Sequence, residues 1–173
     1  MMTKRTLSVG LLMLTLVLPS CFDATGGGWI VSASDPNRKA HFGFSFHCTD
    51  EDGATVVRGN LQYNDKAYTV TAENGNPQKL SIHGVMRAVI SGPPFLSSCA
   101  NLQRFFGGHY SGDYVPQPQT LGPGGTFDLQ IEDLGQQGPS KEDVLTLTLS
   151  GGVFGGYSNS GTLEGGQITV HQD

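Results

Sequence analysis

Charge, cysteine and tryptophan are all scarce in this chain. Of its 173 residues only 14% are Asp, Glu, Lys or Arg, and fifteen acids outnumber ten bases. The basic residues never cluster beyond adjacent pairs, which excludes the phosphate-neutralising surface that nucleic-acid binding requires. An acidic balance also repels anionic lipid head groups. Among the five histidines, His41, His47, His83, His109 and His171, no HxH, HxxxH or HExxH spacing occurs. A zinc or copper centre would therefore have to assemble wholly through space. No GxSxG elbow is present, and no spacing singles out a Ser-His-Asp triad. Apolar stripes of helical period sustained over several turns are missing after residue 21, and 25 glycines with 9 prolines make helix costly.

Long hydrophobic runs are absent too, apart from Leu11 to Leu18. That run is shorter than the roughly 20 residues that cross a bilayer, and Lys4 and Arg5 precede it, so it reads as an export signal. Its end, "LPSC", resembles the bacterial lipobox, with Leu18 in the apolar position, Ser20 in the small one and Cys21 as the residue to be acylated. Pro19 departs from the usual choice between them. A plain secretory cleavage site is the alternative, but Leu18, Pro19 and Phe22 occupy the wrong positions for one. The expected organisation is a signal peptide over 1–20, a lipidated Cys21 with a short tether to residue 28, and a single domain over 29–173. A diacylglyceryl group plus an amide-linked chain anchors stably, because each buried methylene contributes about 0.8 kcal/mol. Phe22 stands where Asp would signal inner-membrane retention in enteric bacteria, so that signal is absent; the expected location is the outer membrane or cell surface, with the leaflet left open. Loss of Lys4 and Arg5 leaves eight bases against fifteen acids, a formal net charge of −7.

With Cys21 assigned to lipid, Cys48 and Cys99 remain, and in an oxidising compartment they are expected to pair. Metal thiolates or a redox pair are the alternatives, and neither has the close CxxC spacing. On the chain-entropy account, closing a loop of about 52 residues stabilises by about 4 kcal/mol.

Alternation dominates what is present. In "AHFGFSFHC", Phe42, Phe44, Phe46 and Cys48 share one face of a strand, and His41, Gly43, Ser45 and His47 share the other. At about 3.3 Å per residue, His41 and His47 lie roughly 20 Å apart, too far to share a metal. The pattern recurs in "VRGNLQYND", "KAYTVTA", "KLSIHGVMRAVIS", "TFDLQIED", "VLTLTLS" and "GGQITVH", divided by polar and Gly/Pro-rich turns such as "CTDEDGATV" and "ENGNPQ". Residues 92–125 are less regular. Period two at roughly ten-residue spacing predicts one all-β, glycine-rich domain, an antiparallel β-sandwich or partly closed barrel with one disulfide.

Candidate chemistry is thin. Asp128, Glu132, Asp133, Glu142 and Asp143 flank one strand and turn and would serve a hydrolase if paired in a cleft, although wet outward faces also explain them. Asp50, Glu51 and Asp52 are dense in acid but lack the calcium-loop spacing. A copper/zinc dismutase-like sandwich fails on its missing HxH strand. The aromatic segment "RFFGGHYSGDYV" supplies the candidate binding surface, Phe105, Phe106, Tyr110 and Tyr114, unless alternate members of it fill the core.

Taken together, "GGGWI", "HFGFSFHC", "GNLQYND", "LSIHGV", "FDLQIED" and "GTLEGGQITVH" resemble a bacterial exported β module of the post-COAP-1 type over nearly all of the mature chain. Gln167 stands where many such modules have Asn. The resemblance implies exported all-β architecture and carries no catalytic signature. Two functions follow as expectations. The preferred one is a non-enzymatic lipid-anchored domain, without cofactor, that binds or scaffolds a cell-surface protein or glycan. The alternative is a secreted glycan or ester hydrolase.

Overall fold

A computed structural model of the chain describes residues 23–51, 54–72, 75–90, 107–134 and 142–171. The signal segment, Cys21, Asp52, Cys99, Phe105 and Phe106 lie outside these residues. Nine strands follow one another: β1 (Asp23–Val31), β2 (Lys39–Glu51), β3 (Ala54–Thr71), β4 (Pro77–Ile90), β5 (Gly107–Pro116), β6 (Gly125–Glu132), β7 (Val144–Ser150), β8 (Ser158–Thr162) and β9 (Gly165–His171). A 3-10 turn, Gln119–Leu121, leads into β6. Every pairing is antiparallel.

The all-β reading holds, and of its two forms the partly closed barrel is found, not the sandwich. All nine strands form one sheet in the order β8-β7-β6-β5-β4-β3-β2-β1-β9, curled into a half-barrel. The physical reason is that β1 through β8 each pair with their neighbour in sequence, so no strand crosses to a second layer. The edge strands β8 and β9 are joined by just Leu163 and Glu164, so the sheet must bring its two edges round together. At that turn the Leu163 amide donates to the Asp143 carbonyl and the Glu164 amide to the Trp29 carbonyl.

Alternation decides which side chains fill the curl. Phe42, Phe44, Phe46 and Cys48 are all buried, while His41, Ser45 and His47 are exposed. Phe44 and Phe46 stack at 5.0 Å, and Phe46 meets Tyr110 of β5 at 4.7 Å. Each such ring contributes roughly 1.5–3 kcal/mol on burial. Leu129, Ile131, Leu145, Leu147 and Leu149 repeat the pattern on β6 and β7.

Other expectations shift. Residues 23–28 are not a tether but the first part of β1, hydrogen-bonded between β2 and β9. Gly26 makes this possible, because a side chain there would collide with the Phe44 ring. The two stretches "VRGNLQYND" and "KAYTVTA" are one long strand, β3, with a bulge between Asp65 and Thr69. Strands β2 and β3 run to Glu51 and from Ala54, so the acidic turn is shorter than its composition suggests. Inside the irregular 92–125 segment lies a full strand, β5.

Candidate functional site

Three neighbouring strands and the end of a fourth build an open depression of about 530 Å³ on the outer sheet face. Its size falls within the range of roughly 300–1,000 Å³ usual for small-ligand sites. Register places the side chains. One outer-face row runs Trp29, His41, Asn64, Ser81 across β1 to β4. Two residues along, the next row runs Gly27, Gly43, Gln62, His83. Gln117 joins from the end of β5, its amide donating to the Ser81 carbonyl at 2.8 Å.

Gly43 lines the depression, and Gly27 of β1 stands beside it, just past its edge. A Cβ on Gly27 would meet nothing nearer than 3.8 Å, and one on Gly43 nothing nearer than 4.0 Å. The strand backbone is therefore bare there, with His41 and Asn64 on one side and Ser45 on the other. Elsewhere in the sheet glycine is required. At Gly59, Gly84 and Gly112 a Cβ would strike backbone or core rings.

The side chains around the bare patch are polar and none is Asp, Glu, Lys or Arg. Asn64 keeps its Oδ1 shielded from solvent and without a hydrogen-bond partner among the described residues. Such an acceptor costs stability unless something donates to it. His41 and His83 stand two strands and one step apart, about 12 Å by sheet geometry, so they do not share a ligand atom. At the rim, Trp29 packs against His41 with ring centroids 6.1 Å apart, and the Lys39 ammonium sits 4.2 Å over the indole. Beyond Trp29 lies a smaller depression of about 280 Å³, bordered by Arg38, Lys39 and Glu164.

The residues singled out from sequence fall elsewhere. Tyr110 and Tyr114 are 7% and 1% exposed and belong to the core, so neither ring offers an outer binding surface. The cause is register: on β5 these two face inward while His109, Ser111 and Asp113 face out. The Tyr114 hydroxyl donates to the Gly151 carbonyl and accepts from the Phe154 amide. Phe105 and Phe106 lie outside the described residues, as does the centre of the acidic turn.

The candidate hydrolase acids scatter. Asp128 pairs with His109 at 2.6 Å on an exposed face. Asp143 is buried and accepts from the Leu134 and Ile168 amides, and Asp133 accepts from the Val170 amide. Those two carboxylates thus cover the open edge of β9. Among the described residues, no three His, Cys, Asp or Glu side chains converge to hold a metal ion.

One buried polar cluster escaped the sequence reading. Asp65 on β3 is fully buried; its Oδ2 accepts from the Ser32 and Tyr157 hydroxyls and its Oδ1 from the Ala67 amide. Tyr157 meets the Tyr63 hydroxyl, which also accepts from Asn159 Nδ2. Its donors meet acceptors, so the cluster ties β3 to β8 and the loop before it through the interior.

No protein-family model matches the chain, and no curated protein or solved structure does.

Proposed function

We propose that the mature chain is a non-enzymatic binding domain of the bacterial cell envelope, held there by lipid on Cys21, that takes its ligand in the trough over β2, β3 and β4. One observation carries this reading. Gly27 and Gly43 sit side by side on the outer face where neither packing nor a positive φ calls for glycine. Interior strand glycine costs stability and commonly marks close approach by a ligand. The polar ring around that bare patch includes no carboxylate, which favours recognition over hydrolysis. The lipobox-like "LPSC" and the resemblance to exported β modules support an envelope location.

Cys48 faces the core at the far end of β2, and in that oxidising compartment it pairs with Cys99. A mass shift of the native mature protein on alkylation without reductant, showing two free thiols, would refute the bridge.

The chain's one tryptophan, Trp29, borders the trough and reports on it. Full-length protein in a detergent without sugar head groups, titrated with cell-envelope fragments from the producing bacterium, is expected to change Trp29 emission. Gly43→Leu, which fills the trough, is expected to abolish the change. Unaltered emission with the parent, or an equal change with Gly43→Leu, overturns the reading. For the anchor, Cys21→Ser is expected to release the protein from membranes, and retention through a salt wash would refute it.

A further inference from the structure

Resting on that reading of the trough, we infer its ligand class: a neutral glycan, bound across the strands over Gly27 and Gly43. Three observations select it.

The first is charge. Asn64, Gln62, Gln117, Ser81, His41 and His83 line the trough, and none is a carboxylate, a guanidinium or an ammonium. A phosphate or carboxylate ligand would find no lysine or arginine in the lining to offset its desolvation, and a metal or amine would find no carboxylate. Three primary amides and a serine hydroxyl instead offer donors and acceptors in adjacent positions. An amide presents C=O and NH₂ in one plane, which matches two neighbouring hydroxyls of a sugar ring.

The second is the unpartnered Asn64 Oδ1. It is an acceptor, so its partner must donate. Hydroxyls donate; phosphates and carboxylates do not. The terminal torsion of an Asn side chain is broad, so Oδ1 has freedom to reorient toward a donor.

The third concerns the floor. The Gly27 and Gly43 peptides lie within ladders that run on both sides, β9–β1–β2 and β1–β2–β3. Their backbone groups are consumed, so a peptide cannot add there as a strand, the commonest way a sheet captures one. What remains open is a shallow surface whose missing side chains leave room for a flat ring.

The test uses full-length acylated protein in a detergent lacking sugar head groups, with Trp29 emission and calorimetry as readouts. Probes are cellohexaose, maltohexaose, chitohexaose and linear mannan, against polygalacturonate and heparin as anionic counterparts. At least one neutral probe is expected to bind. Gly43→Leu is expected to weaken it by about tenfold or more, and Gln62→Ala by roughly three- to tenfold. Both variants are expected to melt like the parent, because Gly43 has open space before it and Gln62 is exposed. Should Gly43→Leu misfold, Gln62→Ala alone decides.

If only the anionic probes bind and Gly43→Leu blocks them, the neutral class is wrong while the trough stands as the site. If a neutral probe binds and both variants leave it untouched, the trough itself is wrong. If no neutral probe binds, the inference is overturned.

Discussion

Tyr63 and Tyr157, 94 positions apart in the chain, meet hydroxyl to hydroxyl at 2.7 Å inside the curled sheet. The direction of that bond follows from its neighbours. Tyr157 gives its single proton to Asp65 at 2.9 Å, so Tyr63 must donate to Tyr157, and Asn159 in turn donates to Tyr63 at 2.9 Å. The chain ties β8 and the loop before it to β3, across the interior. Tyr157→Phe leaves the buried Tyr63 hydroxyl without its acceptor and removes one donor from Asp65. We expect a loss of about 1–3 kcal/mol, read as a lower denaturant midpoint at constant slope. Tyr63→Phe combined with Tyr157→Phe is expected to cost less than the sum of the singles, because both break the same bond. Strict additivity would contradict the linkage.

Burial also sets the behaviour of these phenols in base. Desolvation pushes Tyr63 up to about 12; the hydrogen bond from Asn159 opposes this, and the Asp65 charge adds to it. Tyr110 rises to about 12 by burial, and Tyr157 is raised by burial and by its neighbours Tyr63 and Asp65. Unfolded tyrosine titrates near 10. The folded value lies above the unfolded one, so between them the native state holds the proton more tightly. The corresponding stability is complete below about pH 10 and drains away as pH climbs toward 12, roughly 2–3 kcal/mol for each of Tyr63 and Tyr110. Tyrosinate absorbance from these residues is expected to appear together with loss of the strand circular dichroism. Its appearance near pH 10 with the fold intact would refute the assignment.

How much of this was legible beforehand differs by level. Phe42, Phe44 and Phe46 announced their inward face, because period two and side-chain polarity agree and nothing distant is needed to read them. The number of layers was not legible. Alternation says that a strand has a wet face and a dry one, and that is equally true of a sandwich and of one curled sheet. Strand β5 was hidden because glycines at 107, 108 and 112 interrupt the inward tyrosines. The trough lay further out of reach. Gly43 was visibly on the outer face, yet its position beside Gly27 and Gln62 depends on register between strands distant in sequence. Tyr110 and Tyr114 misled for the opposite reason: an aromatic among glycines looks exposed until pairing turns it inward.

Asp143 shows how the open edge of β9 is kept from pairing with other chains. Its two oxygens accept from the Leu134 and Ile168 amides at 3.2 and 3.0 Å, and the carboxylate is buried. Asp143→Ala strands two amides and is expected to cost about 2–4 kcal/mol. It also uncovers a strand edge, so faster aggregation on mild heating should accompany it. Asp143→Asn keeps one acceptor oxygen and is expected to cost less. Equal effects of the two variants, with no change in aggregation, would show that the carboxylate does not guard this edge.

Gly26 and Gly27 are neighbours on β1 that face opposite ways, and their substitution separates folding from function. A Cβ on Gly26 would press into the Phe44 ring and come within 3.3 Å of Ile168 Cγ1. We expect Gly26→Ala to cost about 1–3 kcal/mol by overpacking. Gly27 has open space before it and an ordinary negative or extended φ, so Gly27→Ala is expected to be neutral or to stabilise by up to about 1 kcal/mol, since alanine loses less backbone freedom. The same Gly27→Ala narrows the bare floor and should weaken whatever occupies the trough. Thermal melts and ligand titration on the two variants read both quantities. If Gly27→Ala unfolds the protein as readily as Gly26→Ala, then this glycine serves the sheet, and the bare patch loses its claim to be kept open for a ligand.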